Sequence, residues 1–119
     1  MSFGLFTAAR LDPAIGRRER AGRALERALD ALAGGAGALL SHTERGWRSI
    51  TFSGSRHQIV LAFDRENAIA HGEAMIVELP DHLFEIPDHL VADAAVIAVD
   101  YRADPPRLVV TLEVLLLED

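Results

Sequence analysis

The chain contains no cysteine and no lysine. Without cysteine there is no disulfide framework, no thiolate nucleophile and no cysteine-ligated metal, which fits a reducing compartment. The missing lysine removes Schiff-base chemistry, the phosphate loop that ends in Gly-Lys, and Ser-Lys catalysis. All twelve basic residues are arginine. Arginine offers forked donors suited to carboxylate or phosphate, but a lysine-poor genome accounts for the bias more simply. Long apolar runs are also missing. The longest uncharged apolar-looking run, Ala31 to Leu40, is rich in Ala and Gly and falls short of the roughly 20 residues that a membrane helix needs. Met1 to Leu11 lacks the basic-then-apolar layout of a secretory signal, so the expectation is a cytoplasmic protein.

What is present describes a globular chain. Half of the 119 residues are apolar and a quarter are charged, and the length suits one domain, residues 1–119, with an ordinary core. Charge is uneven. Residues 1–48 hold eight arginines against five acids, and residues 49–119 hold four against thirteen. An acidic second part argues against nucleic acid as a partner, because binding needs a basic footprint. The arginines at 17, 18, 20, 23 and 27 are diluted by Glu19, Glu26 and Asp30 and read as a solvated helix face.

Asp12-Pro13 is a helix start, with Asp as the capping residue and Pro in the first turn, and Gly34-Gly35 is a stop. Between them Ala21, Leu25, Ala28, Leu29 and Leu32 share one helical face, opposite Arg20, Arg23 and Arg27. Ala36 to Gly46 reads as a connection. Trp47 to Phe52 and Gln58 to Phe63 read as strands joined by a turn at Ser53-Gly54-Ser55-Arg56. From Asp64, taken as a cap, the spacing of Ala68, Ile69, Gly72, Met75, Ile76 and Leu79 predicts a helix over 65–78 that ends before Pro80. Gly72 in its middle weakens it by roughly 1 kcal/mol. Residues 94–101 and 108–117 read as strands, with a bend at Arg102 to Pro106 that no central strand tolerates.

This order predicts an α+β fold: two helices packed on one face of a four-stranded antiparallel sheet, α-β-β-α-β-β. Two helices cover one sheet face, yet the last two strands are apolar on both faces, where a wet face would alternate. The second face therefore asks for cover, and a second copy of the chain is the simplest source. Ile97, Val99, Leu115 and Leu117 are the interface residues this assigns. The alternative cover is Met1 to Leu11, with Phe3, Leu5 and Phe6.

One phrase is repeated. Residues 79–83 read Leu-Pro-Asp-His-Leu and residues 86–90 read Ile-Pro-Asp-His-Leu. Each proline disfavours helix in the residue before it, and each Asp suits a local turn. Asp81, His82, Asp88 and His89 are the candidate ligand-binding residues for a small molecule. Imidazole with carboxylate would suit a metal if the turns converged. None of the five histidines has His-x-His or His-Glu-x-x-His spacing, and no cofactor or metal is assigned. Ser55 and His57 flank a turn, but no Gly-x-Ser-x-Gly elbow exists and no orienting carboxylate can be named from the sequence, so no catalytic residue is assigned. His71 with Glu73, and Asp100 with Tyr101, are further acid–base pairs without a pattern behind them. Trp47 is the sole tryptophan, and tryptophan is enriched at interface hot spots. The reading is a non-enzymatic binding or assembly module that forms a homodimer through its sheet. The alternative, an acid–base enzyme or metal-dependent ligand binder, would use the paired Pro-Asp-His turns.

Overall fold

A computed structural model describes residues 13–119. The elements are α1 (Pro13–Leu32), β1 (Ala38–Arg48), β2 (Ser53–Asp64), α2 (Glu66–Glu78), a single 3₁₀ turn (Leu79–Asp81), β3 (His89–Ala103) and β4 (Pro106–Glu118). The strands form one antiparallel sheet in the order β1-β2-β4-β3. Both helices pack on the same side of it, which is the expected α+β arrangement in the expected order.

Each helix follows from its apolar spacing. On α1, Ala21, Leu25 and Leu29 are buried, while Arg20, Arg23 and Arg27 face solvent. The helix stops where Gly34 and Gly35 take left-handed backbone angles, φ 64° and 71°. There the Gly35 N–H donates to the Asp30 carbonyl at 2.9 Å, the closing bond of a Schellman cap. Asp12 and the segment Met1 to Leu11 lie outside the described residues. On α2, Ile69, Gly72 and Met75 are buried. Asp64 does not cap it; Arg65 occupies the N-cap position with φ 78° and no side-chain bond. A Cβ at Gly72 would lie 2.8 Å from the Phe63 ring and 2.9 Å from Leu108. The glycine that weakens the isolated helix is what lets α2 sit down on the sheet.

The first hairpin differs from the sequence reading. β1 begins at Ala38 rather than Trp47, and all of its residues are exposed or half-buried. An edge strand with little cover carries no alternation to detect. The turn falls at Ser49 to Phe52, where the Phe52 N–H donates to Ser49 Oγ at 3.0 Å. Ser53 to Arg56 instead open β2. A Cβ on Gly54 would collide with the Leu116 carbonyl of β4, so this glycine serves a close strand approach rather than a turn.

Register assigns the faces. Ser55, His57, Ile59, Leu61 and Phe63 of β2 and Leu108, Val110, Leu112, Val114 and Leu116 of β4 face the helices and are all buried. The apolar ones among them make the core with Leu25, Leu29, Ile69, Met75 and Leu79. The opposite, outer face carries Trp47, Arg45 and Thr43 from β1, and Arg56, Gln58 and Val60 from β2. Glu113, Leu115 and Leu117 continue it on β4, and Leu90, Asp93 and Ala95 on β3. Its middle is polar, with Arg56 Nη1 2.9 Å from Glu113 Oε1. No element of the described residues lies across it.

Candidate functional site

The assigned interface residues separate. Leu115 and Leu117 pair with Arg56 and Gly54 and lie on the outer face. Val99 pairs with Val110 and therefore shares the helix-facing side. The reason is a bulge between Val96 and Ala98, which inserts Ile97 as an extra residue and inverts the alternation beyond it. Ile97, Val99 and Tyr101 are each about half exposed at the free β3 edge.

The repeated phrase folds into two unlike turns. The first becomes the 3₁₀ turn, with Leu79 buried, Asp81 exposed, and His82 exposed with its ring edge-on to Phe84 at 4.6 Å. The second places Asp88 at φ 61°. There His89 Nδ1–H donates to the Pro87 carbonyl at 2.8 Å. The Asp88 carbonyl accepts the Asp119 N–H. His82 lines a depression with Leu79, Phe84 and Leu90, and Asp88 lines a different one with Arg17, Arg20, Arg23 and Arg27. The four candidate residues do not share a cavity there. Among the described residues, no group of three or more His, Asp or Glu side chains is arranged to hold a metal.

The best-built polar arrangement lies elsewhere, between α1 and the first hairpin. Glu26 Oε2 is 2.5 Å from His42 Nδ1, His42 Nε2 is 2.8 Å from His57 Nδ1, and His57 Nε2 is 2.8 Å from Ser55 Oγ. Antiparallel pairing sets His42 opposite Ile59, one pair along from His57 on the same face. Gly22 of α1 leaves room above them, since a Cβ there would be 3.6 Å from the His42 ring. With both imidazoles neutral the four groups satisfy one another in a single direction. The Ser55 O–H donates to His57 Nε2, His57 Nδ1–H to His42 Nε2, and His42 Nδ1–H to the Glu26 carboxylate. Burial, then the charges of His42 and His89, lower the His57 pKa to about 4 against the opposing pull of Glu26, so His57 is neutral near pH 7. Ser55 and His57 stand two residues apart in the sequence, but their carboxylate does not lie near them in the chain. Glu26 reaches them through His42, across 16 residues, and no local spacing signals that.

A hydroxyl polarised through imidazole toward a carboxylate is the arrangement that activates a nucleophile. Here the hydroxyl has no access. Ser55 is 2% exposed and His57 0%. A cleft of about 550 Å³ beside α1 is lined by Glu26, Arg23, Arg27, Leu39 and Ile59, but by neither Ser55 nor His57. The relay satisfies buried polar groups and ties α1 to both strands of the hairpin.

No protein-family model matches the chain, and no curated protein matches it. No helix of the described residues is long and apolar enough to cross a membrane. The fold is shared with a solved chain from the virion of a native gene transfer agent particle. The TM-score is 0.56 at 14% identity, over 86% of this chain and 94% of that one.

Proposed function

We propose that this chain is a structural subunit that assembles with copies of itself, as a component of a virion-like particle, through one end of the outer face of its sheet. The observation that carries the reading is the apolar surface at that end. Trp47, Gly54, Leu117 and Leu90 line up across the four strands, with Leu115 in the next row. The adjoining β1–β2 turn presents Ile50 and Phe52. Leu90 is 59% exposed, Phe52 52% and Ile50 103%. Between Trp47 and Leu90, Leu117 and Gly54 are buried, so the exposed part of this end is Leu90, Phe52 and Ile50, with Trp47 and Leu115 half-buried beside them. Exposed apolar side chains gathered in this way mark an interaction surface, and a self-complementary patch gives a symmetric pair. The shared fold with a particle component supports the same reading, as does the sealed Ser55 hydroxyl. Residues 1–119 act in it as one unit, assembling in the cytoplasm.

The test is a Leu90→Asp, Leu115→Asp double variant. It is expected to keep its circular dichroism and most of its thermal stability, because neither side chain belongs to the buried core. In light scattering it should lose the higher-mass species of the parent chain. A folded variant with the parent's mass would refute the assignment.

A further inference from the structure

We infer that copies of this chain also join edge to edge, the free edge of β3 in one copy adding antiparallel to the free edge of β1 in the next. This rests on the assembly reading above but uses a different surface. The order β1-β2-β4-β3 leaves β1 and β3 as the two outer strands, about 14 Å apart at the usual strand spacing. With every pairing antiparallel, β1 and β3 run in opposite directions. A second copy set beside the first without rotation therefore presents β1 to β3 in the antiparallel sense. Among the described residues the outer side of β1 pairs with nothing, and that of β3 with nothing beyond the isolated Ile86–His89 bridge at its first residue. A long free edge carrying apolar side chains is the feature that proteins blunt or use for pairing.

The two edges match side by side. On the helix-facing side, β3 offers Val99 and Tyr101, opposite Val110 and Leu108 of its own sheet. On that same side β1 offers Leu39, paired with Leu61 and 46% exposed. Leu39 lines a cleft together with Arg23 and Arg27 of α1, so two guanidiniums stand on the side of β1 that would face Tyr101 of the next copy. On the outer side, β3 offers Asp93 and Asp100, paired with Leu115 and Val109. β1 offers Arg45 there, paired with Arg56. In the row Arg45–Arg56–Leu115–Asp93 the arginine of one copy meets an acid of the next, and in the row Leu39–Leu61–Val110–Val99 leucine meets valine. Asp100 stands at the valine end, in the row of Ala38, and the other helix-side residues of β1 include His42 and Glu44. This also gives the uneven charge of the chain a use, because the basic half of one copy faces the acidic half of the next. Two different surfaces meet, so the contact yields a series rather than a pair.

Charge exchange tests it. One variant carries Arg45→Glu with Arg23→Glu; a second carries Asp93→Arg with Asp100→Arg. All four positions are exposed, and melting curves confirm folding. By sedimentation velocity each variant alone should self-associate about tenfold more weakly than the parent. An equimolar mixture should return to within a few-fold of the parent, since each variant then meets a complementary edge. Tyr101→Ser, which alters no charge, should weaken association several-fold. Variants that associate like the parent, a mixture no stronger than its components, or a parent chain that is monomeric up to about 1 mM would overturn the inference. Loss of assembly in the Leu90→Asp, Leu115→Asp variant alongside normal behaviour of the charge variants would remove this contact and leave the sheet-face reading intact.

Discussion

The two faces of one sheet differ more than the sequence of their strands suggests. On the helix side every inward residue of β4 from Leu108 to Leu116 is buried, in an unbroken aliphatic row. On the outer side the same strand reads Val109, Thr111, Glu113, Leu115 and Leu117, and Glu113 is held by Arg56. The helix side is a finished interior. The outer side is a surface with a polar belt across its middle and an apolar region at one end. The lesson is that apolar content on both faces of a strand does not by itself define an interface; the row of pairs across the sheet does. The belt leaves the Trp47–Leu90 end as the apolar part of that face.

That contrast can be broken first where it is steepest. Leu112→Ala, at a position with no exposure, should lower unfolding free energy by about 2–5 kcal/mol in urea melts. Leu115→Ala, one pleat over, should cost less than about 1 kcal/mol in the protomer. Similar losses at both positions would show that the outer face is as closely packed as the inner one.

Acid should act on the helix side through His57. The folded-state pKa of His57 is lowered from 6.5 to about 4. Between those values the unfolded chain binds a proton that the folded chain refuses. The stability this group contributes is therefore whole above pH 6.5, falls as pH drops through that window, and is gone below about 4. The total is about 3 kcal/mol. Unfolding free energies measured at steps between pH 7 and pH 4 should decline accordingly. A His57→Gln variant should lack that part of the slope.

Smaller effects follow. Gly72→Ala gains about 1 kcal/mol of helix propensity, but its Cβ would press on Phe63 and Leu108. Overpacking of that kind costs about 1–3 kcal/mol, so calorimetry should show a lower melting temperature. A higher one would mean that α2 has room to lift. Least of all, Glu113→Gln should change protomer stability by under about 1 kcal/mol, because both partners in the ion pair remain partly exposed.

Much of the architecture was legible because it rests on repeating patterns. The α1 face, the α2 spacing and the β4 alternation each announce their period, and the order of elements follows from them. What escaped was non-repeating. β1 lies at an edge with little cover, so Ser41 to Gly46 show no alternation. The bulge at Ile97 costs one residue of register and carries Val99 to the other face, and nothing in Ala-Val-Ile-Ala-Val marks where it falls. The Glu26–His42–His57–Ser55 relay draws on three elements distant in the chain. Only Ser55 and His57, two residues apart on one strand face, could be seen as neighbours beforehand. The repeated Pro-Asp-His phrase is symmetric in sequence, yet its copies adopt different backbones because one continues a helix and the other enters a strand.

Trp47 offers the most direct test of the central claim that the Trp47–Leu90 end of the outer face is where copies meet. It is the sole tryptophan, it is half-buried in the protomer, and it stands on that face beside Gly54. Its emission and its quenching by acrylamide should be followed while protein concentration rises through the association range seen by scattering. The account predicts a blue shift and a loss of quenching that track the increase in mass. Emission and quenching that stay constant while mass rises would mean that copies meet somewhere else.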